Sequence, residues 1–167
     1  LRRKLIMIDR SVSLADLRIP PANRLERLKG QWDGFYSIRV NAQWRVVFDG
    51  QGKELWTLTS SIITNEGEEA SDIISVPHPG EVLRKEFLEP LGLTQYRLAR
   101  DIFSSKSQIS KLVRGRIGIS AEMALRLSAY FGNSAEFWLG LQEEFDLWCA
   151  RQTTDTSSIV AWNKHTA

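Results

Sequence analysis

The apolar residues of this 167-residue chain change their spacing part-way along it. Over residues 34–41 apolar and polar residues alternate, and residues 43–48 repeat the alternation after an Asn-Ala pair. A period of two predicts strands, and two such runs around a short turn predict an antiparallel hairpin. From about residue 81 onward the apolar residues recur at helical spacing instead. These two periods predict an α+β half with an antiparallel sheet, followed by an all-α half.

Other segments extend this division. We expect a helix that ends near Ile8, a helical turn over residues 13–17 and a third strand over residues 54–59. In the all-α half, five apolar runs at helical spacing predict five helices joined by short links. The stretch before them is acidic and rich in turn-forming residues, as linkers are. The predicted domains are residues 1–64, an acidic linker over 65–76, a helical domain over 77–152 and a disordered tail over 153–167.

Composition excludes several classes of protein. With 43% hydrophobic residues and six Trp, the chain is too apolar to be disordered as a whole. One Cys and two His rule out an intramolecular disulfide and leave almost no zinc ligands, so we expect no metal and no cofactor. No uncharged apolar run approaches the roughly 20 residues that a bilayer-spanning helix needs. We therefore expect a cytoplasmic protein that binds no membrane.

The net charge of +2 conceals two basic blocks. Basic residues outnumber acidic ones over residues 1–48 and over residues 94–116, whereas acidic residues gather over residues 66–72 and 136–146. Basic blocks are candidate surfaces for polyanions, although Lys and Arg also serve simply to solvate a surface. The two blocks lie in different halves and need separate explanations.

Two short helices in the second basic block have the spacing of a helix-turn-helix motif. They are predicted over residues 95–102 and 106–114, and only Phe103, Ser104 and Ser105 separate them. In this motif the first helix crosses the phosphate backbone, and the second places its N-terminal side chains against base edges in the major groove. The apolar residues expected to pack the two helices together are Leu98, Ala99, Ile102, Ile109 and Leu112.

The outward residues of the second helix form hydrogen bonds readily, unlike the Glu/Lys mixture of a merely solvated helix. Arg114 and Arg116 flank Gly115 at the end of this helix, where they are placed to bind phosphates. The outward residues are Lys106, Ser107, Gln108, Ser110 and Lys111.

Several segments of the helical half carry a resemblance to a known family. They are residues 77–83, 87–94, 114–127 and 137–142. Together they resemble the HigA-type antitoxins, which belong to the Xre repressor-like helix-turn-helix proteins. The resemblance runs without gaps over about residues 77–152. It implies a five-helix domain that dimerises through its C-terminal helices and represses its own operon at a palindromic, double-stranded operator.

The resemblance also implies roles for single residues. By position in the broader repressor motif, Lys106, Ser107 and Lys111 contact bases, as Gln108 and Ser110 also could. The phosphate contacts fall on Gln95, Ser105, Arg114 and Arg116.

The turn departs from the family pattern, which often has a left-handed Gly followed by an apolar residue where Phe103 and Ser104 stand. Because a bulky residue at positive φ is strained, two arrangements are open. Either the turn is built differently, or Phe103 packs into the core from a distorted corner.

The first half carries a second resemblance, over about residues 1–60. Leu28-Lys29-Gly30 and the hairpin over residues 37–48 resemble the HigB toxins, which are RelE-like ribonucleases that cleave messenger RNA in the ribosomal A site. Metal-free RNA cleavage needs a base, an acid and cations around the scissile phosphate. Lys29, Arg39 and Arg45 could supply the cations.

Two departures weaken the catalytic part of this resemblance. Where the family often has His two residues before Leu-Lys-Gly, this chain has Glu26. The acid-Tyr-His sequence that closes such toxins is also missing, and the resemblance begins well inside the toxin pattern. We therefore expect a truncated and inactive toxin-like domain ahead of the antitoxin-like domain.

Three functional hypotheses follow. The main one is a homodimeric antitoxin that represses transcription of a toxin-antitoxin module by binding operator DNA. The second is a self-inhibited toxin-antitoxin fusion that retains metal-independent endoribonuclease activity. The third is a module that neutralises a separate HigB-type toxin by binding it.

Overall fold

The computed structural model describes residues 1–42, 45–49, 76–160 and 162. The predicted strand over residues 54–59 and nearly all of the predicted linker lie outside these residues. The domain boundaries and the disordered tail stay predictions. The predicted fold class is confirmed, since short helices and a three-stranded antiparallel sheet precede an all-helical half.

The α+β half begins with two short helices, and three strands follow. The strands pair antiparallel in the order β1-β2-β3, with Tyr36 opposite Phe48 and Ile38 opposite Val46. Ile38 and Phe48 are fully buried, so the alternation turns one apolar face of the hairpin inward, as predicted. The elements are α1 (Arg2–Asp9), α2 (Leu14–Arg18), β1 (Glu26–Arg27), β2 (Phe35–Arg39) and β3 (Arg45–Asp49).

The helical half contains the five predicted helices, the first of which is composite. It starts at Pro79, passes through a π-helical stretch over Leu83–Leu88 and ends at Leu91. Side chains of Thr94, Ser105, Ser120 and Ser134 cap the helices that follow by accepting backbone N–H bonds. The elements are α3 (Pro79–Val82), α4 (Glu89–Leu91), α5 (Gln95–Asp101), α6 (Lys106–Val113), α7 (Ala121–Phe131) and α8 (Ala135–Thr153).

One apolar core extends through both halves. Its centre is aromatic, with the rings of Phe87 and Trp138 at a centroid distance of 4.8 Å. Met7, Ile8 and Leu17 from α1 and α2 are buried in the same cluster. The two N-terminal helices therefore pack as part of the helical half, because their apolar faces are buried against it.

A buried ion pair also joins the two halves. The ammonium of Lys4 contacts the carboxylate of Glu86 and donates a hydrogen bond of 2.7 Å to the side-chain oxygen of Asn23. Arg3 donates to the other carboxylate oxygen of Glu86 at 3.2 Å. Burial lowers the pKa of Lys4, and the nearby Glu86 offsets this only in part. The charges are paired and hydrogen-bonded, which a buried charge requires.

Asp16 forms a second polar connection between the halves. Its carboxylate accepts hydrogen bonds from the backbone N–H of Ser134 at 2.6 Å and from the Ser134 hydroxyl at 2.9 Å. It also accepts from the backbone N–H groups of Val12 and Ser13, ahead of α2. Because Ser134 is the N-cap of α8, one buried carboxylate holds the starts of two helices together.

We predict that Glu86→Gln destabilises the protein by about 3 kcal/mol, because it leaves the buried Lys4 charge without its counter-ion. The matched control is Glu89→Gln, which removes a carboxylate three residues away that pairs with Arg84 at the surface. That control is expected to change the free energy of unfolding by less than about 1 kcal/mol. Urea unfolding of both variants measures the difference, and equal effects would contradict a structural role for the buried pair.

Candidate nucleic-acid interface

Helices α5 and α6 form the predicted helix-turn-helix unit. The Thr94 hydroxyl accepts a hydrogen bond from the Arg97 N–H at 3.1 Å, and the Ser105 hydroxyl accepts from the Gln108 N–H at 3.1 Å. These bonds satisfy backbone donors at the start of each helix. The residues that the sequence assigned to the contact between the two helices are all buried, namely Leu98, Ala99, Ile102, Ile109 and Leu112.

The outer face of α6 and the residues after it line one shallow cavity of about 500 Å³. The lining residues are Lys106, Ser107, Ser110, Lys111, Arg114 and Arg116. All six were predicted from sequence to contact DNA, and the structure brings them together. Within the described part of the chain, none of the ion pairs includes a basic residue of this set. Four cations and two hydroxyl groups therefore face solvent on one side of the motif.

The other predicted DNA-contact residues lie outside this cavity. The side-chain oxygen of Gln108 accepts a hydrogen bond of 2.9 Å from the Ser104 hydroxyl, which ties Gln108 to the turn. The Ser105 hydroxyl oxygen is engaged as the N-cap of α6. Gln95 is the first residue of α5 and is partly buried.

Arg97 and Arg100 on α5 belong to the second basic block, but the sequence analysis assigned them no contact with DNA. Asp101 accepts hydrogen bonds from Arg97 at 2.5 Å and from Arg100 at 3.0 Å, and the Tyr130 hydroxyl donates to it at 3.2 Å. The bond from Arg97 is the main cause of a lowered pKa of Asp101. These contacts fix two exposed guanidinium groups on the helix that crosses the phosphate backbone in this motif. The spacing of Arg97 and Asp101, four residues apart on one helix, is the signal that could have found them.

The end of α6 depends on a left-handed residue, Gly115, with a φ of 69°. The Gly115 N–H donates to the Leu112 carbonyl at 2.9 Å, and the Arg116 N–H donates to the Lys111 carbonyl at 2.8 Å. A Cβ at Gly115 would lie 3.4 Å from His78, so the backbone angle demands glycine here more than the space does. This turn directs the chain so that Arg116 lines the cavity.

His78 lies behind this turn as the N-cap of α3. Its Nδ1 accepts a hydrogen bond from the Gly80 N–H at 2.9 Å, and its ring packs edge-on against Phe145 at 4.8 Å. Burial lowers the pKa of His78, which the negative charges of Asp146 and Glu81 offset only in part. The neutral imidazole is the form that can accept the Gly80 hydrogen bond.

The predicted cations of the toxin-like half have other partners. Arg45 donates to the Ser37 hydroxyl at 2.9 Å and to the Arg24 carbonyl at 2.7 Å, and it pairs with Glu26 at 3.2 Å. Arg39 lies opposite Arg45 in the sheet and donates to the Asn41 carbonyl at 2.7 Å.

Lys29, the third of these cations, is exposed and lies between β1 and β2 rather than on a strand.

Among the described residues, no group of three or more His, Cys, Asp or Glu could hold a metal ion. No described helix is long and apolar enough to cross a bilayer.

Two family models match the chain. Residues 1–57 match the RelE-like toxin of the type II toxin-antitoxin system HigB, and residues 85–138 match a helix-turn-helix family. Antitoxin HigA-1 of Vibrio cholerae serotype O1 is 42% identical over 72 residues, which make up 43% of this chain and 68% of that antitoxin. The chain belongs to the HigA antitoxin family. The resemblance predicted from the sequence is thereby confirmed.

Two further relatives are similar to different parts of the chain. The HigA-family addiction module antidote protein of Coxiella burnetii is 27% identical with a TM-score of 0.50, covering 53% of this chain and 99% of its own. Toxin HigB-1 of the same Vibrio cholerae is 52% identical over 46 residues, or 28% of this chain. The chain spans about half of that toxin's length, 48%. Segments similar to two separate Vibrio proteins thus occur here in one polypeptide.

We predict that stability falls as the pH is lowered from 7.5 to 5.5, in part because of His78. Its pKa in the folded protein lies below the value of about 6.5 expected for an unfolded chain, so the unfolded chain binds the proton first. His78→Asn keeps an N-cap acceptor but does not titrate, and should show a smaller pH dependence of the free energy of unfolding. Urea unfolding at both pH values measures this. The same pH dependence in both proteins would exclude His78 as a cause.

Proposed function

We propose that the chain is a DNA-binding antitoxin and transcriptional autorepressor of a toxin-antitoxin module, and that it contacts operator DNA through α6. The proposal rests on the cavity that four cations and two hydroxyl groups line on the outer face of the helix-turn-helix unit. A surface with several cations and no acidic lining residue suits a polyanion, because binding releases the counter-ions condensed on DNA.

The position of each residue on α6 supports its proposed role. Lys106 and Ser107 occupy the first turn of the helix, which enters the major groove in this motif, and Lys111 follows one turn later. Lys can donate to guanine O6 and N7, and Ser can bond to either kind of base edge. Ser110 lines the same cavity, and Gln108 completes the proposed base-reading set.

The proposed phosphate contacts lie around this set. Arg114 and Arg116 follow the C-terminal end of α6, and Gln95 and Ser105 stand at the starts of the two helices. Contacts at these places fix the register of a helix-turn-helix protein on DNA and carry no sequence information themselves.

We further propose a homodimer acting in the cytoplasm, because two copies of one motif read a palindromic operator with matching symmetry. A separate HigB-type toxin is proposed as a second partner. The packing of the toxin-like α1 and α2 against the helical half supports this, since it shows that the helical half accepts a toxin-like surface. Light scattering with and without operator, and co-purification with a HigB-type toxin, test these two proposals.

We predict that Lys106→Ala combined with Lys111→Ala weakens sequence-specific binding by at least about 30-fold. Each removed base contact is worth about 1–3 kcal/mol. The matched control is Arg18→Ala with Arg151→Ala, which removes the same charge from exposed positions outside the cavity. Gel-shift titration on operator and on random DNA measures both. If the control weakens binding as much as the double lysine variant, net charge and not α6 determines the affinity.

We also predict that Arg114→Ala combined with Arg116→Ala weakens binding to all DNA sequences equally. The slope of the logarithm of affinity against the logarithm of salt concentration should fall by about 2, because each phosphate contact releases about one counter-ion. Titrations at several salt concentrations measure the slope. A loss of affinity confined to the operator sequence would instead place these arginines among the base-reading residues.

For the toxin-like half we propose that it does not cleave RNA. In support, Arg45 already donates to the Ser37 hydroxyl and the Arg24 carbonyl. The carboxylate of Glu26 lies beside Arg45, and its negative charge repels a phosphate. A catalytic cation must instead be available to the charge that develops on the scissile phosphate.

The purified full chain is accordingly predicted to leave messenger RNA intact in translation extracts. The comparison is the variant with Lys29, Arg39 and Arg45 all changed to Ala, and both proteins should give the same background. Cleavage by the wild-type chain that the triple variant lacks would support the alternative function, a fusion that retains endoribonuclease activity.

A further inference from the structure

The turn between α5 and α6 is a left-handed helix end with an unusual residue in it. The Ser104 N–H donates to the Ala99 carbonyl at 2.8 Å, and the Phe103 N–H donates to the Arg100 carbonyl at 3.3 Å. This pair of bonds defines the Schellman motif, whose penultimate residue must adopt a positive φ and is usually Gly. Here that residue is Phe103, with a φ of 54°.

Other helix ends of the same half use glycine at this place. Gly92, Gly115 and Gly132 end α4, α6 and α7 with φ between 63° and 83°. Among the helix ends described in this half, only the turn that leads into α6 therefore has a bulky residue at positive φ, where such a residue is strained.

The side chain of Phe103 does not compensate for this strain by packing. It is 90% exposed, so the sequence-based alternative in which Phe103 packs into the core is wrong. The strained conformation must be held by contacts of the backbone with the rest of the fold.

Arg126 on α7 provides these contacts. Its guanidinium donates to the Ile102 carbonyl at 2.8 Å and also to the Phe103 carbonyl. The other terminal nitrogen donates to the carboxylate of Glu122, one turn earlier on α7, at 2.6 Å. A fixed cation thus bonds two successive carbonyls at the C-terminal end of α5, where orphan carbonyls and the helix dipole favour positive charge.

We propose that Arg126 is a positioning residue for DNA reading, because it holds the left-handed turn that sets the direction of α6. The proposal rests on the proposed function, binding of operator DNA through α6. The turn leads from Phe103 through Ser104 to the N-cap Ser105, so a change in the backbone angles at Phe103 rotates the first turn of α6. Base contacts tolerate small errors of position poorly, since hydrogen bonds weaken steeply with distance and angle.

Arg126→Ala, Phe103→Gly and the double variant are compared for binding to operator DNA, well below the melting temperature of each. Arg126→Ala is expected to weaken operator binding by about tenfold, because a charge-assisted clamp is lost. Phe103→Gly should bind as the wild type does, since Gly adopts positive φ without strain and the lost ring is exposed. The double variant should recover most of the loss. Glu122→Gln, which leaves Arg126 in place, should give a smaller loss than Arg126→Ala.

Salt dependence separates positioning from direct contact with DNA. If Arg126 only positions the turn, the salt slope of Arg126→Ala equals that of the wild type. A slope reduced by about 1, with no recovery in the double variant, would make Arg126 a phosphate contact and overturn the proposal. Wild-type affinity for Arg126→Ala would overturn it equally.

A measurement without DNA distinguishes failure of this proposal from failure of the proposed function. Hydrogen exchange of the Ser104 amide, which bonds to Ala99, should be faster in Arg126→Ala and restored in the double variant. Unchanged exchange would show that Arg126 does not hold the turn, whatever the protein binds. Faster exchange in a protein that shows no operator binding would instead overturn the function and, with it, the role of Arg126 in DNA reading.

Discussion

The buried ion pair between Lys4 and Glu86 determines how the two halves of the molecule fit together. It lies where the toxin-like N-terminal helix meets the composite first helix of the HigA-type half, inside one continuous core. Apolar burial alone would hold the two surfaces together in many registers, because it has no direction. A buried charge must lie within hydrogen-bonding distance of its partners, so the pair, together with the hydrogen bonds that Lys4 donates to Asn23 and Arg3 donates to Glu86, fixes how the halves meet.

The same constraint explains how the charges of the chain are distributed. Acidic residues of the helical half do not merely solvate it, since Glu81 and Glu86 pair with Arg3, and Glu144 pairs with Arg10 at 2.5 Å. Arg3, Lys4 and Arg10, at the start of the first basic block, are thereby paired with acidic residues of the helical half. Among the described residues, no acidic side chain pairs with the basic residues that line the cavity at α6, and these cations face the solvent. A near-neutral chain can in this way keep one strongly basic surface for a polyanion.

The helix-turn-helix unit shows how local rules and distant contacts combine. Caps at Thr94 and Ser105, and the glycine turn after α6, are local devices that the residue types themselves favour. Phe103 breaks the local rule, and the departure occurs at the turn that directs the proposed recognition helix. Departures from local preference are expected where function sets the geometry. Here Arg126, on α7, donates the hydrogen bonds that hold the turn in its left-handed conformation.

The hairpin, the five helices, the helix-turn-helix pair and the six residues that line the candidate interface could all be predicted from the amino-acid sequence. These follow from periodicity, capping residues and turn lengths, which act between neighbours in the chain. The pairing of Lys4 with Glu86, the hydrogen bonds that Ser134 donates to Asp16 and the contact of Arg126 with the turn at Phe103 could not be predicted in this way. These partners are 82, 118 and 23 residues apart. No periodic pattern connects such positions, because their contact exists only once the helices have packed.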